Sequence, residues 1–439
     1  MGAEQILSWT VLIAVLAAIA SGRFRIDIIA ITGLLILGLA GIAPPNIVFS
    51  GFGHPALATI ITVFFISQGL INSGLLQGLG QTLASRVQST RGQVISLSSA
   101  SALLSTIMNN VGAVGLMLPT AVRMARRAGQ SPGVFGMPLA MFSILGGTIT
   151  LIGSAPNIII ASHMFSTTGQ PFRMFDYAPH GLAMFTVAMA TWLICKTCGI
   201  TPGSGTAGEK CGYKKENLEG QTTEQAESFE AESDLYEEKT FAPLSTRKKQ
   251  LTLLVLILAI AAVSTGLLHP AYGFGGAALL MFFGRVLKLP DAYKCIDLKI
   301  VFFLGAMLGI GQVLEHTGSL DLLSSALAGF TEGLQPFWLI VMLLFVASAL
   351  SNAINNAASA VFMAPLAVGI ATGSTLETAA ALMAVAAGSN LTLLLPTHQA
   401  ALMVLSKAPF PFSSFMRFGL ILTFLCGLAA AVVIALIWQ

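Results

Sequence analysis

A chain of 439 residues that is 55% hydrophobic and only 9% charged is far from a soluble domain, in which about a quarter of residues are charged. Of its 22 Lys and Arg and 19 Asp and Glu, 18 fall between Lys196 and Lys249, so the rest of the chain is almost uncharged. That distribution excludes a soluble enzyme and a nucleic-acid-binding domain, and it describes an all-α polytopic membrane protein; the net charge of +3 averages an acidic stretch with basic loops and says little about partners.

The first apolar run, residues 5–21, follows the start Met1-Gly2-Ala3-Glu4 and has no small-residue cleavage pattern behind it, so no cleavable signal is expected. Apolar runs near the ~20 residues of a membrane helix follow at 27–42, 56–71, 137–163 and 180–195, and after a hydrophilic break at 251–268, 271–286, 300–314, 379–404 and 418–438. Before the fourth run of each half lies a different pattern. Residues 92–108 and 111–122 are short apolar arms around Asn109-Asn110, and residues 336–350 and 357–371 flank the break from Ser351 to Asn356. Two short arms about a polar break read as a re-entrant helical hairpin, here 92–126 and 335–372. The second Asn of each pair, Asn110 or Asn356, precedes a proline, Pro119 or Pro365, by nine residues in both. Side-chain amides are costly in hydrocarbon unless paired or lining a polar cavity, so two matched amide clusters point to a transported solute.

The halves also match outside the hairpins: Val63-Phe64-Phe65-Ile66 resembles Val301-Phe302-Phe303-Leu304, and each half has an amphipathic stretch, 75–87 and 319–330. Five spans and one hairpin per half is an odd number of crossings, so residues 1–200 and 250–439 are expected to be inverted repeats. With the N-terminus outside, 21 of the 22 Lys and Arg fall on the cytoplasmic side and only Arg173 outside. Both termini are then external, in a multi-pass protein of the plasma (inner) membrane. The first hairpin opens from the cytoplasm and the second from outside. Residues 201–249 read as an acidic, Ser- and Thr-rich cytoplasmic linker. Cys195, Cys198 and Cys211 form a C-x-x-C plus one that could bind metal, although zinc sites usually supply four ligands and ordinary cysteines are the plainer reading.

After each hairpin comes a span interrupted in its middle, Gly146-Gly147-Thr148-Ile149-Thr150-Leu151-Ile152-Gly153-Ser154-Ala155-Pro156-Asn157 in one half and Gly388-Ser389-Asn390-Leu391-Thr392-Leu393-Leu394-Leu395-Pro396-Thr397-His398-Gln399 in the other. Unwound helices at the midplane offer carbonyls to a cation and helix N-termini to an anion. The nine acidic residues outside the linker lie near loops or span ends, which counts against a proton antiporter with a central carboxylate. No Arg or Lys falls at the expected site. Solute and ion must therefore be held by amides, hydroxyls and backbone groups, and oxygen-only coordination suits a hard cation such as sodium. The anion is expected between Asn110, Asn356 and the interrupted spans (Thr150, Pro156, Asn157, Pro396, Thr397, His398). Sodium is expected near Ser105, Asn110 and Gly153, and near Ser351 and Asn356. His398 could titrate near neutrality or simply hydrogen-bond.

The motifs Gly147-x-Thr-x-Thr150-Leu-Ile-Gly153-Ser-x-Pro156-Asn157, Gly51-Phe52-Gly53-His54-Pro55 and Pro396-Thr397-His398-Gln399, with the hairpin tips running on to Leu118-Pro119 and Ala364-Pro365, resemble the divalent anion–sodium symporter family of the ion-transporter superfamily, in its sulfate/carboxylate permease branch. The resemblance implies a homodimer with elevator-like alternating access, in which residues 1–91 and 250–330 form the scaffold. It also implies Ser-Asn-Thr at the tips, which falls on Asn109, Asn110 and Val111 and on Asn355, Asn356 and Ala357. The central Asn is kept twice and both hydroxyl-bearing neighbours are lost, which shifts weight toward a compact anion such as sulfate. The expectation is a sodium-coupled importer of sulfate or a small di- or tricarboxylate in contact with membrane lipid, without a bound cofactor. A cation/proton antiporter or metalloid-oxyanion exporter on the same scaffold, and an anion-binding membrane sensor, remain the alternatives.

Overall fold

The computed structural model describes residues 2–21, 24–75, 89–197, 245–319 and 333–439, with positions 87 and 322. The two amphipathic stretches, apart from positions 75, 87, 319 and 322, and the acidic linker to residue 244 lie outside the described residues, as do Cys198 and Cys211. Every described element is helical. The first half contains α1 (Ala3–Ser21), α2 (Ile26–Leu39), α3 (Pro45–Val48), a 3-10 turn (Ser50–Gly53), α4 (Pro55–Ser73), α5 (Thr90–Ser105), α6 (Asn110–Arg127), α7 (Gly133–Gly147), α8 (Ala155–Thr168) and α9 (Ala178–Thr197). The second contains α10 (Thr246–Ser264), α11 (Pro270–Phe283), α12 (Leu289–Cys295), α13 (Leu298–His316), α14 (Pro336–Ala353), α15 (Asn356–Thr372), α16 (Thr378–Asn390), α17 (Gln399–Lys407) and α18 (Phe412–Trp438). The order of elements thus occurs twice, and α1 and α10, α2 and α11, and α4 and α13 agree in length at 19, 14 and 19 residues.

Helix starts follow local chemistry. His54-Pro55 and His269-Pro270 open α4 and α11: proline suits the first helical position because its missing N–H needs no partner there, and each imidazole Nδ1 accepts from the backbone N–H two residues on, at 3.4 and 3.2 Å. Asp297 caps α13 by accepting from Lys299 N and Ile300 N. Leucine-rich helix α10 stops at Ser264, four residues short of the expected 268, where Gly266 turns with φ +75° into His269-Pro270. The short α3, the 3-10 turn and α12 are absent from the sequence reading, because four to seven residues carry no usable periodicity.

Among the described residues, four helices are long and apolar enough to cross a membrane by length and composition: α4, α13, α14 and α18. The sequence reading makes α14 a hairpin arm, and length alone does not separate the two; its C-terminal end, however, carries Ser351 and Asn352 into a buried polar junction. Both expected interruptions are present. Residues 148–154 part α7 from α8, and residues 391–398 part α16 from α17.

The packing exchanges partners between halves. Helix α4 lies on α11 and α13 on α2; α6 lies on α17 and α15 on α8. Helices α9 and α18 pack antiparallel, since Cys426 Sγ donates to Met184 O at 3.3 Å while the Trp438 ring lies 5.4 Å from Phe172, just ahead of α9. Glycines set the closest approaches. A Cβ at Gly146 would strike the Ala102 backbone on α5, and one at Gly388 the Leu344 backbone on α14, so the helices on either side of each tip nest in the same way.

Candidate substrate and ion site

The two Asn residues of each pair do different work. Asn109 is the N-cap of α6 and its Oδ1 accepts from Gly112 N at 2.7 Å; Asn355 caps α15 and accepts from Ala358 N at 2.7 Å. An Asn in this role satisfies one of the open N–H groups of a helix start. The second Asn is the first residue of the helix and points elsewhere. The Asn110 side-chain amide lies 3.3 Å from His398 Nε2, and Asn356 Nδ2 lies 3.4 Å from the same atom. One imidazole, at the N-cap of α17, therefore stands between the tips of both hairpins. Its other nitrogen, Nδ1, accepts from Ala400 N at 3.1 Å. A neutral imidazole that accepts at Nδ1 carries its hydrogen at Nε2, so His398 presents a donor to the two tips.

On its far side Asn110 meets oxygen. Ser105 Oγ hydrogen-bonds the Asn110 side chain, and the carbonyl oxygens of Ser143 and Gly153 lie 3.3 Å from it. A Cβ at Gly153 would sit 2.6 Å from Gly147 O and 2.7 Å from Ser105 O, so the carbonyls of the first hairpin and of the first interruption crowd together where only glycine fits. Thr150 Oγ1 donates to Thr106 O and accepts from Gly153 N, the latter at 3.2 Å. Three first-half residues expected from the sequence near sodium, Ser105, Asn110 and Gly153, thus lie together.

Their second-half counterparts are not joined in the same way. Helix α5 ends at Ser105, whereas α14 continues to Ala353, so Ser351 sits inside a helix and donates to Ser389 O at 2.6 Å. No hydrogen bond among the described residues joins Ser351 to Asn356; Asn356 Oδ1 accepts from Ala357 N at 2.9 Å.

Asn157 and Asn390 lock the interruptions together. Asn157 Nδ2 donates to Thr150 O at 2.8 Å, its Oδ1 accepts from Asn390 Nδ2 at 2.8 Å, and Ser154 Oγ bonds Asn390 Oδ1. Tyr177 Oη donates to Asn157 O at 2.8 Å. Asn352 does the equivalent work in the second half: its Nδ2 donates to Ser348 O and Leu391 O, both at 2.8 Å, and its Oδ1 accepts from Leu394 N and Leu395 N. Asn352, Asn390, Ser154 and Tyr177 are absent from the residues chosen from sequence. The first three lie within the quoted motifs, and their being amides or hydroxyls in apolar context was the available signal. Of the other expected residues, Val111, Pro156, Ala357 and Pro396 are buried and their side chains offer no polar group, while Thr397 is exposed beside His398. None of the hydrogen-bond partners named here is charged.

A sequence profile described as citrate transporter (CitMHS) matches residues 15–388. The chain is 26% identical over 197 residues to the transporter YfbS of Escherichia coli, covering 45% of this chain and 32% of YfbS. It is 26% identical over 140 residues to sodium/sulfate cotransporter 1 of Chlamydomonas reinhardtii, covering 30% of this chain and 16% of that protein. The chain thus spans about a third or less of these relatives. Among solved structures, the YdaH transporter of Alcanivorax borkumensis has a TM-score of 0.57 at 13% identity, over 89% of this chain and 87% of that one, a likeness of fold alone.

Proposed function

Because the chain belongs to the citrate transporter family, whose members and relatives are transporters and not enzymes, we propose that it is a sodium-coupled secondary transporter of a divalent anion, sulfate or a small di- or tricarboxylate. It is an integral membrane protein; its placement in the plasma (inner) membrane belongs to the proposal. The observation that carries the reading is the meeting of both hairpin tips at His398. His398 Nε2–H and Asn356 Nδ2–H2 are donors without a full charge, beside the N-termini of α6, α15 and α17, whose dipoles favour an anion. Behind Asn110, the oxygens of Ser105, Gly147 and Gly153 are the donor chemistry of a hard cation. A cation there supplies the positive charge that the side chains lack, and so draws the anion in.

The antiparallel α9–α18 pair and the exchanged partners of α4 and α13, and of α6 and α15, support two repeats of opposite orientation, residues 1–200 and 250–439. Helices α1–α4 and α10–α13 pack among themselves, as do α5–α9 and α14–α18, and the groups meet chiefly through α4 on α8 and α13 on α15. That narrow seam supports an elevator, with the hairpins and interrupted spans as the moving body. Proteoliposomes test the reading. Uptake of radiolabelled sulfate or succinate is expected to require inward sodium and to fall at least tenfold, about 1.4 kcal/mol, in Asn110→Ala and in Asn356→Ala. Sodium-independent uptake, or wild-type rates in both variants, would sink it.

A further inference from the structure

A serine or threonine in an apolar helix commonly bonds its own backbone, as Thr59, Ser73, Thr191 and Thr252 do, each donating to a carbonyl three or four residues back. Ser98 and Ser101 of α5 do not. They are 1% and 0% exposed, and neither Oγ has a hydrogen-bond partner among the described residues. A buried unmatched hydroxyl is costly, and α5 is the only described helix that carries two such residues.

Their placement is regular. Spacings of three and four residues put Ser98, Ser101 and Ser105 on one face of α5. At about 1.5 Å per residue, Ser98 and Ser101 stand about 10 and 6 Å from Ser105 along the axis, toward the helix start at Thr90. Ser105 Oγ meets the Asn110 side chain, so the hydroxyl face runs from the hairpin tip back toward the cytoplasmic end. Val94, 1% exposed, comes next on that face and closes it in this structure.

The second hairpin differs in both chemistry and attachment. Matching the tips, Asn110 to Asn356, sets Ser98 and Ser101 against Leu344 and Ala347. Matching the glycine contacts, Ala102 on Gly146 and Leu344 on Gly388, sets them against Ile340 and Leu343. All four are buried and apolar. From α14, Ser351 donates to Ser389 O at 2.6 Å and Ser348 to Leu391 O at 3.0 Å, and Asn352 bonds Leu391, Leu394 and Leu395. Among the described residues, the side-chain hydrogen bonds of α5 reach only Val87 O, from Gln93, and Asn110, from Ser105. The link of Thr150 to Thr106 O lies beyond its last residue. Helix α14 is stitched to the second interruption, and α5 is not stitched to the first.

We propose that the Ser98–Ser101–Ser105 face is the wall of a hydrated cation passage between the cytoplasm and the first hairpin tip, opened when α5 shifts away from its neighbours. Water then matches the two hydroxyls, and neutral oxygens of the kind that suit a hard cation line the way. The second hairpin, apolar and stitched, offers no such route, so the cation leaves on one side only. The inference rests on the transport reading and the orientation above, and adds the path by which the ion leaves.

The experiment uses the full chain with its five native cysteines replaced by serine, in sealed, chloride-free membrane vesicles of either orientation. Silver ion, a small monovalent cation that reacts with thiols, is the probe, and thiols left unreacted are counted with a maleimide after denaturation. Ser98→Cys and Ser101→Cys are expected to react about tenfold faster from the cytoplasmic face than from the external one, and about tenfold faster than Leu343→Cys and Ala347→Cys from either. Reaction no faster than at those two positions, or equal from both faces, overturns the passage. Hydrogen exchange of the wild type decides even if a variant fails to fold: amides of residues 92–105 are expected to exchange about tenfold faster than those of 338–351, and equal protection overturns the proposal. Silver access together with sodium-independent uptake removes the sodium-coupled reading and leaves the passage standing. Sodium-dependent uptake without silver access removes the passage alone.

Discussion

At the residue scale, the chain uses one side-chain type for three tasks, and neighbours in sequence differ in role. Asn109 and Asn355 close helix starts; Asn110 and Asn356 face His398. The other amides act as buried staples. Asn352 matches four backbone groups, on α14 and on the second interruption. Asn352→Ala is expected to cost about 1–3 kcal/mol or more, since several buried partners lose their match at once, seen as a lower unfolding temperature in detergent. Tyr177→Phe removes one hydrogen bond, to Asn157 O, and is expected to cost about 0.5–1.5 kcal/mol in the same measurement. Asn157 and Asn390 touch directly, so a double-alanine cycle is expected to depart from additivity by about 0.5–3 kcal/mol; additive losses would show that the contact carries no energy of its own.

At the element scale, each interruption is seated against a glycine of its half's last helix. A Cβ at Gly181 of α9 would come 2.8 Å from Ile149 Cα, and one at Gly419 of α18 would strike the Leu393 carbonyl. Backbone cannot yield as a side-chain tip can, so Gly181→Ala and Gly419→Ala are each expected to destabilise by about 1–3 kcal/mol. Gly276→Ala, in α11 with nothing within 4 Å of its added Cβ, is expected to stabilise by about 0.5–1 kcal/mol; thermal unfolding separates the two classes. The histidine caps give a pH dependence. Burial holds His54 and His269 below the ordinary histidine value, and their Nδ1 atoms accept only when neutral. A histidine whose folded pKa is depressed binds more protons unfolded, so its contribution is full above the unfolded value near ~6.5 and is lost as pH falls through the folded one. Unfolding temperature is therefore expected to drop from pH 7 toward pH 5, and less so in His54→Asn/His269→Asn, where Asn caps without titrating.

At the scale of the whole molecule, the seam between the helix groups is where the proposed elevator movement takes place. Phe165 on α8 lies 5.8 Å from His269 at the start of α11, across that seam, while Phe142 on α7 and Phe185 on α9 lie 5.7 Å apart within one group. In a variant with the five native cysteines replaced by serine, cross-linking Phe165→Cys to His269→Cys is expected to arrest uptake at least tenfold, with recovery on reduction. Cross-linking Phe142→Cys to Phe185→Cys is expected to leave it within about twofold. Equal inhibition by both would count against movement along this seam.

The helical class, the doubling of the element order, the two Asn-Asn tips and the two interruptions were legible in the sequence alone. Each is a local contradiction, an amide, glycine or proline in an apolar run, and its cost in hydrocarbon marks it without knowledge of its partner. Partners were not legible. That Asn110 and His398, 288 residues apart, share one contact, or that Asn390 reaches Asn157 across 233 residues, depends on how helices of one half lie on those of the other. The matched tips also suggested matched sodium sites at Ser105 and Ser351, and only the tertiary structure separated them. Helix α5 stops at its serine and lets it meet Asn110, whereas α14 runs two residues past Ser351 and turns it onto Ser389. Spacing sets how far apart two residues lie along the chain; where a helix ends decides which of them can touch.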